Sequence, residues 1–183
     1  MFDLIMSPPT IRNHIDTNHN TTVFGEIYFQ LDQDAFFPDK HWDDFIIILL
    51  NEWIQKAIAC FHGSKVRCIF MEGSCHYVMT SQNNLFLIGF FINNKQKYRI
   101  NLEQIAFLKI LKEKANLAIR TLFEKKIITP ETIELHKNFN LFAKKFIKRH
   151  LKLFKHNSTF WGQTNNLSQY SASEFAVIFL AYP

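Results

Sequence analysis

The feature that most constrains the fold is a run of apolar residues, FIIILLNEWI, in the first third of the chain. Apolar positions recur at helical spacing from residue 42 to residue 61, and two further isoleucines widen this stripe. A helix that is apolar over so much of its circumference must be buried by more than one neighbouring element. We therefore predict a central helix that is capped by Asp39, ends at Gly63 and lies across a sheet while other helices cover it.

Strand patterns stand on both sides of this helix in the sequence. Alternating aromatic and β-branched residues predict one strand at 22–31, ahead of the helix. Four further strands are predicted after it, at 65–71, 75–79, 84–92 and 96–100. The segment 84–92 is apolar at nearly every position, which is typical of a central strand with both faces covered.

Two more helices complete the predicted core. Apolar residues recur at helical spacing over 102–125 and again over 132–154. Thr129 and Pro130 supply an N-cap and a first helical residue for the second of these helices. The element order is therefore β-α-β-β-β-β-α-α. We predict an α+β fold in which an antiparallel sheet of four to five strands packs against the long buried helix and the two further helices.

The length of the chain favours one domain over residues 1–183, with its core at about 21–156. Residues 1–20, which contain two prolines and several Asn and His residues, are expected to form a loose N-terminal lead-in. Residues 157–183 are expected to form a C-terminal extension. Its apolar segment EFAVIFL fits a short helix and an edge strand equally well.

Cysteine usage and apolar runs indicate the compartment. Three cysteines leave one thiol unpaired in any disulfide scheme, and a domain of this size needs no disulfide. The N-terminus has no basic residue ahead of its short apolar run, unlike a secretory signal. The longest apolar run of the sheet region, 85–92, is far shorter than the ~20 residues of a membrane span. We therefore predict a cytoplasmic protein without a membrane partner.

The sequence carries no strong pattern for metal or catalytic chemistry. Cysteines and histidines cluster between residues 60 and 76 but lack the paired short spacing of structural zinc ligands. No phosphate loop, nucleophile elbow or metalloprotease motif is present. We predict no catalytic residue, no metal ligand and no cofactor. An enzyme of unrecognised type would need a pocket that joins Asp44, Glu72 and a histidine.

The acidic residues of this chain concentrate between residues 21 and 60, although the net charge is +5. Helix capping and the helix dipole explain some of these acids. The others stand among large aromatic residues, a composition that suits a surface for a basic protein, with aromatic anchors and a charged rim. The candidate partner-binding residues are Asp32, Asp34, Phe36, Phe37, Asp39, Trp42, Asp43 and Glu72.

The last predicted helix is basic, since residues 135–156 contain no acid. Four lysines form one stripe along it: Lys137, Lys144, Lys148 and Lys155. This stripe suits phosphate contacts or an anionic membrane surface, and it also suits a solvated face that keeps a phenylalanine-rich helix soluble. Direct nucleic-acid binding through residues 135–156 is the alternative rather than the leading interpretation, because no recognised nucleic-acid-binding motif accompanies the basic charge.

Two short segments, FPDKHWDDF and FMEG, together resemble a known family. Residues 23–125 resemble small bacterial immunity proteins of polymorphic toxin and contact-dependent growth inhibition systems, with their FPxxxWxDF segment, hydrophobic helix and F-M-D/E-G turn. The matching residues are Phe37, Pro38, Trp42, Asp44, Phe45, Trp53, Phe70, Met71, Glu72 and Gly73. Ser74 and Cys75 depart from the pattern, since a proline and an aromatic residue commonly follow the turn.

This resemblance implies a protein with no chemistry of its own. It would bind the C-terminal domain of a cognate toxin and block the toxin's active site or a surface that the toxin needs. Many such toxins are nucleases with basic surfaces, so the acidic residues would imitate nucleic acid and speed the capture of the toxin. Immunity surfaces vary with the toxin, so the resemblance assigns no binding residue.

Overall fold

The structure, a computed structural model, describes residues 2–15 and 21–139. These residues belong to one compact unit, Met1–Phe139, and the second unit, Asn140–Pro183, lies outside the described residues. The predicted helix beyond residue 139 and the C-terminal extension 157–183 therefore also lie outside them.

Five antiparallel strands form the first sheet, with the longest strand at its centre. The strands are β1 (Asp3–Met6), β2 (Arg12–Ile15), β3 (Thr21–Asp32), β4 (Ala35–Phe37) and β5 (Asp43–Asp44). Each of the other four pairs with β3. Odd-numbered residues of β3 from Val23 to Leu31 are buried, as the alternation in the sequence predicts for a strand with one face on a core.

The expectation of a loose N-terminal lead-in is wrong for residues 2–15. β1 pairs with the second half of β3 and β2 with its first half. Between them the backbone N–H of Ser7 donates to the carbonyl of Glu26, whose own N–H donates to Thr10 Oγ1 at 2.9 Å. Leu4 is fully buried. Two four-residue strands separated by prolines carry little local signal, because their stability comes from pairing with a strand further along the chain.

The central helix α1 spans Ile46–Phe61 and is buried on most of its circumference, as predicted. It begins later than predicted: Asp39 lies in a loop, and Phe45 occupies the N-cap position without a side-chain hydrogen bond. The prediction of a cap at Asp39 is therefore wrong, and the helix dipole explains none of the acids before α1, because its first turn contains no acid. The physical reason is that the residues before α1 pair with β3: β5 is part of the first sheet, and the N–H of Ile27 donates to the carbonyl of Trp42 at 2.8 Å. Residues paired in a sheet are extended, so the helix begins only after them.

The C-terminus of α1 ends as predicted, at a glycine with a positive φ. Gly63 has φ +98°. Its N–H donates to the carbonyl of Cys60 at 2.9 Å, and the N–H of Ser64 donates to the carbonyl of Ala59 at 3.1 Å. These are the two hydrogen bonds of the Schellman motif. The motif needs a left-handed backbone conformation at residue 63, and glycine adopts this conformation without strain because it has no Cβ.

A second, four-stranded antiparallel sheet follows α1, so the strands form two sheets rather than the single sheet predicted. Its strands, in spatial order, are β6 (Val66–Ile69), β7 (Cys75–Gln82), β8 (Leu85–Ile92) and β9 (Lys95–Glu103). Two Asn-Asn pairs at 83–84 and 93–94 connect β7 to β8 and β8 to β9, all with φ between +48° and +63°. Both connections have the positive φ values of type I′ hairpin turns, which asparagine tolerates well.

Two helical segments complete the described part of the chain. α2 spans Gln104–Glu124, and residues 130–139 are helical. The predicted N-cap of the latter segment is confirmed, since the N–H of Thr132 donates to Thr129 Oγ1 at 3.2 Å. The described residues thus have the α+β fold predicted from the sequence, with β1, β2, β4 and β5 as additional short strands.

Both sheets and α1 share one aromatic core. The ring of Phe29 on β3 lies 5.3 Å from that of Trp53 on α1, 5.3 Å from that of Tyr77 on β7 and 5.5 Å from that of Phe90 on β8. The inner faces of the two sheets therefore meet, and their outer faces point away from the core. Among the described helices, none has the length and apolar content needed to cross a membrane.

We expect Leu4→Ala to lower the free energy of unfolding by about 2–4 kcal/mol, because it leaves a cavity under β1. Ile15→Ala on β2, where the side chain is 57% exposed, is the control and should cost less than about 1 kcal/mol. Urea unfolding of both variants measures the difference. Equal, small effects would mean that the N-terminal strands contribute nothing to the core.

Candidate partner-binding surface

The carboxylate of Asp44 joins the two segments of the FPxxxWxDF and FMEG pattern. Asp44 is 2% exposed. Its Oδ2 accepts hydrogen bonds from the indole Nε1–H of Trp42 at 3.0 Å and from the backbone N–H of Met71 at 3.1 Å, and its Oδ1 accepts from the N–H of Phe45 at 2.7 Å. A buried carboxylate with three donors holds these segments in one arrangement.

The aromatic residues of the same pattern surround Phe70. The Phe70 ring lies 5.7 Å from the ring of Phe37, 6.3 Å from that of Trp42 and 5.1 Å from that of Trp53. After Phe70 the chain turns through Gly73, whose φ is +64°. The residues that carry the resemblance are therefore mainly structural, as their types suggest.

The structure separates the three aromatic residues predicted as partner anchors. Phe37 is fully buried and contacts Phe90 in the core, so its prediction as a partner-binding residue is wrong. Trp42 is half-buried against Phe70, with its indole N–H bonded to Asp44. Phe36 is half-buried on the outer face of the first sheet, beside Tyr28 at 5.9 Å and with Lys40 Nζ 5.5 Å from its ring centroid. Side chains alternate between the two faces of β4, so Phe37 points into the core while Phe36 points outward.

The acidic candidates are all exposed but do not form one cluster. Asp32 pairs with Ala35 at one end of β3, while Asp43 pairs with Glu26 nearer the other end. Six residues of extended strand separate these two positions on β3, or about 20 Å. Asp34 lies in the β3–β4 turn and Asp39 in the loop before β5.

We call these residues the acidic strip: Glu26, Asp32, Asp34, Asp39 and Asp43. Glu72 lies in the β6–β7 turn and follows Met71, whose backbone N–H donates to Asp44, the residue after Asp43 of the strip.

Hydrogen bonds and one ion pair shape the charge of the strip. Arg12 on β2 makes a bidentate pair with Asp43, with N–O distances of 2.9 and 2.6 Å, and this pair raises the pKa of the guanidinium. The pKa of Asp32 is lowered, first by the backbone N–H of Gln33. His41 Nδ1 lies 3.3 Å from Glu26 Oε2. Arg12 therefore partly compensates the charge of Asp43, and His41 lies beside Glu26.

Sequence reasoning missed the part that Glu26, Tyr28, His41 and Arg12 play in this surface. Tyr28 and His41 have ring centroids 6.2 Å apart, and burial followed by the charge of Glu26 raises the pKa of Tyr28. The period of two along β3 could have placed residues 26, 28 and 32 on one face. Nothing local could have placed Arg12 or His41 there, because tertiary pairing brings them to β3.

The predicted basic stripe lies mostly beyond the described residues. Lys137 is exposed on the helical segment 130–139. Lys144, Lys148 and Lys155 lie outside the described part of the chain, so the stripe stays a prediction.

Of the cysteines and histidines between residues 60 and 76, Cys60 and Cys68 lie within electrostatic reach of each other. Among residues 2–15 and 21–139, no group of three or more His, Cys, Asp or Glu residues is placed to hold a metal ion. Cys60, Cys68 and Cys75 are buried. Burial raises the pKa of the Cys60 thiol to about 11 and that of the Cys68 thiol to about 12. Thiols of this kind are neutral at physiological pH and weakly nucleophilic.

Comparison with known proteins found no match for this chain among family models, curated proteins or solved structures.

We expect Asp44→Ala to destabilise the protein by about 2–4 kcal/mol, because it leaves buried donors of Trp42 and Met71 without an acceptor. Asp43→Ala removes the neighbouring carboxylate from an exposed ion pair and should cost less than about 1 kcal/mol. Thermal or urea unfolding of the two variants is the measurement. Similar losses would contradict the structural role of Asp44.

We expect the thiols of Cys60 and Cys68 to react with Ellman's reagent at pH 8 on the order of 100-fold more slowly in the folded protein than in urea. The thiolate fraction falls by about tenfold per unit of raised pKa, and burial also blocks access. Fast labelling of either thiol in the folded protein would contradict their burial in the core.

Proposed function

We propose that this protein is an immunity protein that binds and neutralises a cognate toxin domain in the cytoplasm. The toxin is a nuclease whose basic substrate surface the immunity protein covers. The protein acts by binding alone and needs no cofactor.

The resemblance in FPxxxWxDF and FMEG supports this proposal through the role of the matching residues. These residues meet around Asp44 and Phe70, where they stabilise the fold. A pattern made of structural residues can persist while the exposed residues change with each toxin. The proposal therefore assigns toxin recognition to exposed residues outside the pattern.

The observation that carries the proposal is the acidic strip. Its strand residues Glu26 and Asp32 lie about 20 Å apart on the outer face of the first sheet, with Asp43 opposite Glu26. Asp34 and Asp39 lie in the adjoining turn and loop, and Phe36 is half-buried on the same face. Nuclease substrates present phosphates along an extended backbone, so a nuclease surface that binds them is basic over a similar length. A row of carboxylates suits that surface and accelerates the encounter by electrostatic steering.

A pull-down of the tagged protein from its native cells tests the proposal. The lysate is treated with nuclease and washed in about 0.3 M salt, which screens exposed charges beyond about 6 Å. Recovery of one stoichiometric protein that is toxic when expressed alone, and harmless when co-expressed with this chain, supports the proposal. Recovery of nucleic acid alone, and only without nuclease, would favour binding through 135–156 instead.

We expect the double variant Asp34→Lys with Asp39→Lys to slow association with the toxin domain by about tenfold at low salt, because reversal of rim charges acts mainly on the association rate. The difference should shrink as salt is raised. Stopped-flow or biolayer kinetics measure the rates.

Glu124→Lys with Glu134→Lys is the matched control for that variant. It makes the same change in net charge at exposed positions of α2 and the segment 130–139. Association that slows equally in both double variants would assign the effect to net charge and remove the acidic strip from the interface.

A further inference from the structure

The outer face of the second sheet is apolar in its centre and basic at its margins. Inward-facing residues of β6–β9 fill the core, and alternation directs a second set outward. The outward apolar residues are Ile69, Val78, Leu85, Leu87 and Phe91, of which Ile69 is 37% exposed and the others are half-buried. A solvent-facing sheet surface is ordinarily polar, so an apolar centre of this kind indicates a contact surface.

One transverse row of this face places an arginine at each edge of the sheet. Arg67 pairs with Val78, Val78 with Gly89, and Gly89 with Arg99. Three interstrand steps separate the two arginine Cα atoms, or about 14 Å. Both side chains are exposed. A partner that docks on this face therefore meets one guanidinium group on each side of an apolar strip.

In the neighbouring row, side chains pack against one another at the centre of this surface. The His76 and Phe91 rings stack at 5.1 Å with an interplanar angle of 6°. Phe91 also lies over Gly89, where a Cβ would stand 3.0 Å from its ring. Arg67 is anchored at one end, with a guanidinium nitrogen 3.3 Å from His76 Nδ1.

The register adds an acid to this face. Glu103, exposed at the end of β9, pairs with Leu85 and faces outward, whereas Lys95 pairs with Ile92 and has the orientation of the inward set, and Lys97 stands unpaired at a register shift. We call Arg67 and Arg99 with the apolar centre the basic face. The acidic strip lies on the outer face of the other sheet, and both sheets turn their inner faces to the same core. The described unit is therefore acidic on one side and basic on another.

We propose that the basic face binds the acidic strip of a second copy of this chain, head to tail. Charge complementarity selects this arrangement, because two basic faces or two acidic strips would repel each other. The contact is heterologous, since each copy uses a different surface. It exists without the toxin, and it competes with any basic partner for the acidic strip.

The size of the basic face indicates a weak contact. Four strands about 4.8 Å apart and some seven residues long cover on the order of 400–500 Å². Stable interfaces bury about 800 Å² on each partner. The association is therefore short-lived and sensitive to salt, which leaves the acidic strip accessible to a tighter partner.

Sedimentation velocity of the full chain, nuclease-treated and studied at up to about 200 μM, tests the proposal. We expect association in about 20 mM salt and monomer in about 0.3 M salt. The acidic-strip variant, Asp34→Lys with Asp39→Lys, and the basic-face variant, Arg67→Glu with Arg99→Glu, should each be monomeric alone. A mixture of the two should form a 1:1 dimer and no larger species, because each retains one intact surface.

Matched variants separate this contact from net charge and from misfolding. Glu124→Lys with Glu134→Lys, and Lys109→Glu with Arg120→Glu, make the same net-charge changes elsewhere and should associate like the unaltered chain. Arg99→Glu alone avoids the Arg67–His76 contact and should also weaken the association.

Four results would overturn the proposal. The first is an unaltered chain that stays monomeric in low salt, and the second is association that survives reversal of the basic face. The third is a failure of the two reversed variants to pair although each is folded by circular dichroism. Association that disappears on nuclease treatment would assign the basic face to nucleic acid and would also overturn it.

Discussion

The buried carboxylate of Asp44 is the constraint on which the described fold depends. An isolated buried charge costs several kcal/mol, so the group is stable only while its donors stay in place. Those donors come from Trp42, from Phe45 at the start of α1 and from Met71 after β6. Asp44 thus joins the first sheet, the central helix and the second sheet at one point. Alternative arrangements of these segments would leave the carboxylate without its partners.

This arrangement explains why the residues that suggest a family do not form a binding surface. Along β5 the side chains alternate, so Asp44 turns inward while Asp43 turns outward to meet Arg12. The same alternation buries Phe37 and leaves Phe36 on the outer face. Residues that identify the fold and residues available to a partner are therefore neighbours in the chain with opposite orientations. The exposed set of residues can therefore change without loss of the fold, because the buried set is retained.

Two sheets that share one core leave two outer faces, and here the charge of these faces has opposite sign. The net charge of +5 by itself suggests a basic protein with affinity for anions. The structure instead separates an acidic strip on the first sheet from two arginines on the outer face of the second. A protein of this kind can attract a basic partner on one side without repelling it through its total charge, because exposed charges beyond about 8 Å are screened at physiological salt.

Much of the fold follows from signals that act within a few residues. The period of α1, the left-handed glycine at residue 63 and the Thr129 cap are local properties of the backbone, and the sequence alone determined them. The division of the strands into two sheets and the late start of α1 were decided only in the tertiary structure. So were the inward turn of Trp42 and the place of Arg12 beside Asp43. These features depend on pairing and burial between distant segments, for which a short stretch of sequence carries no information.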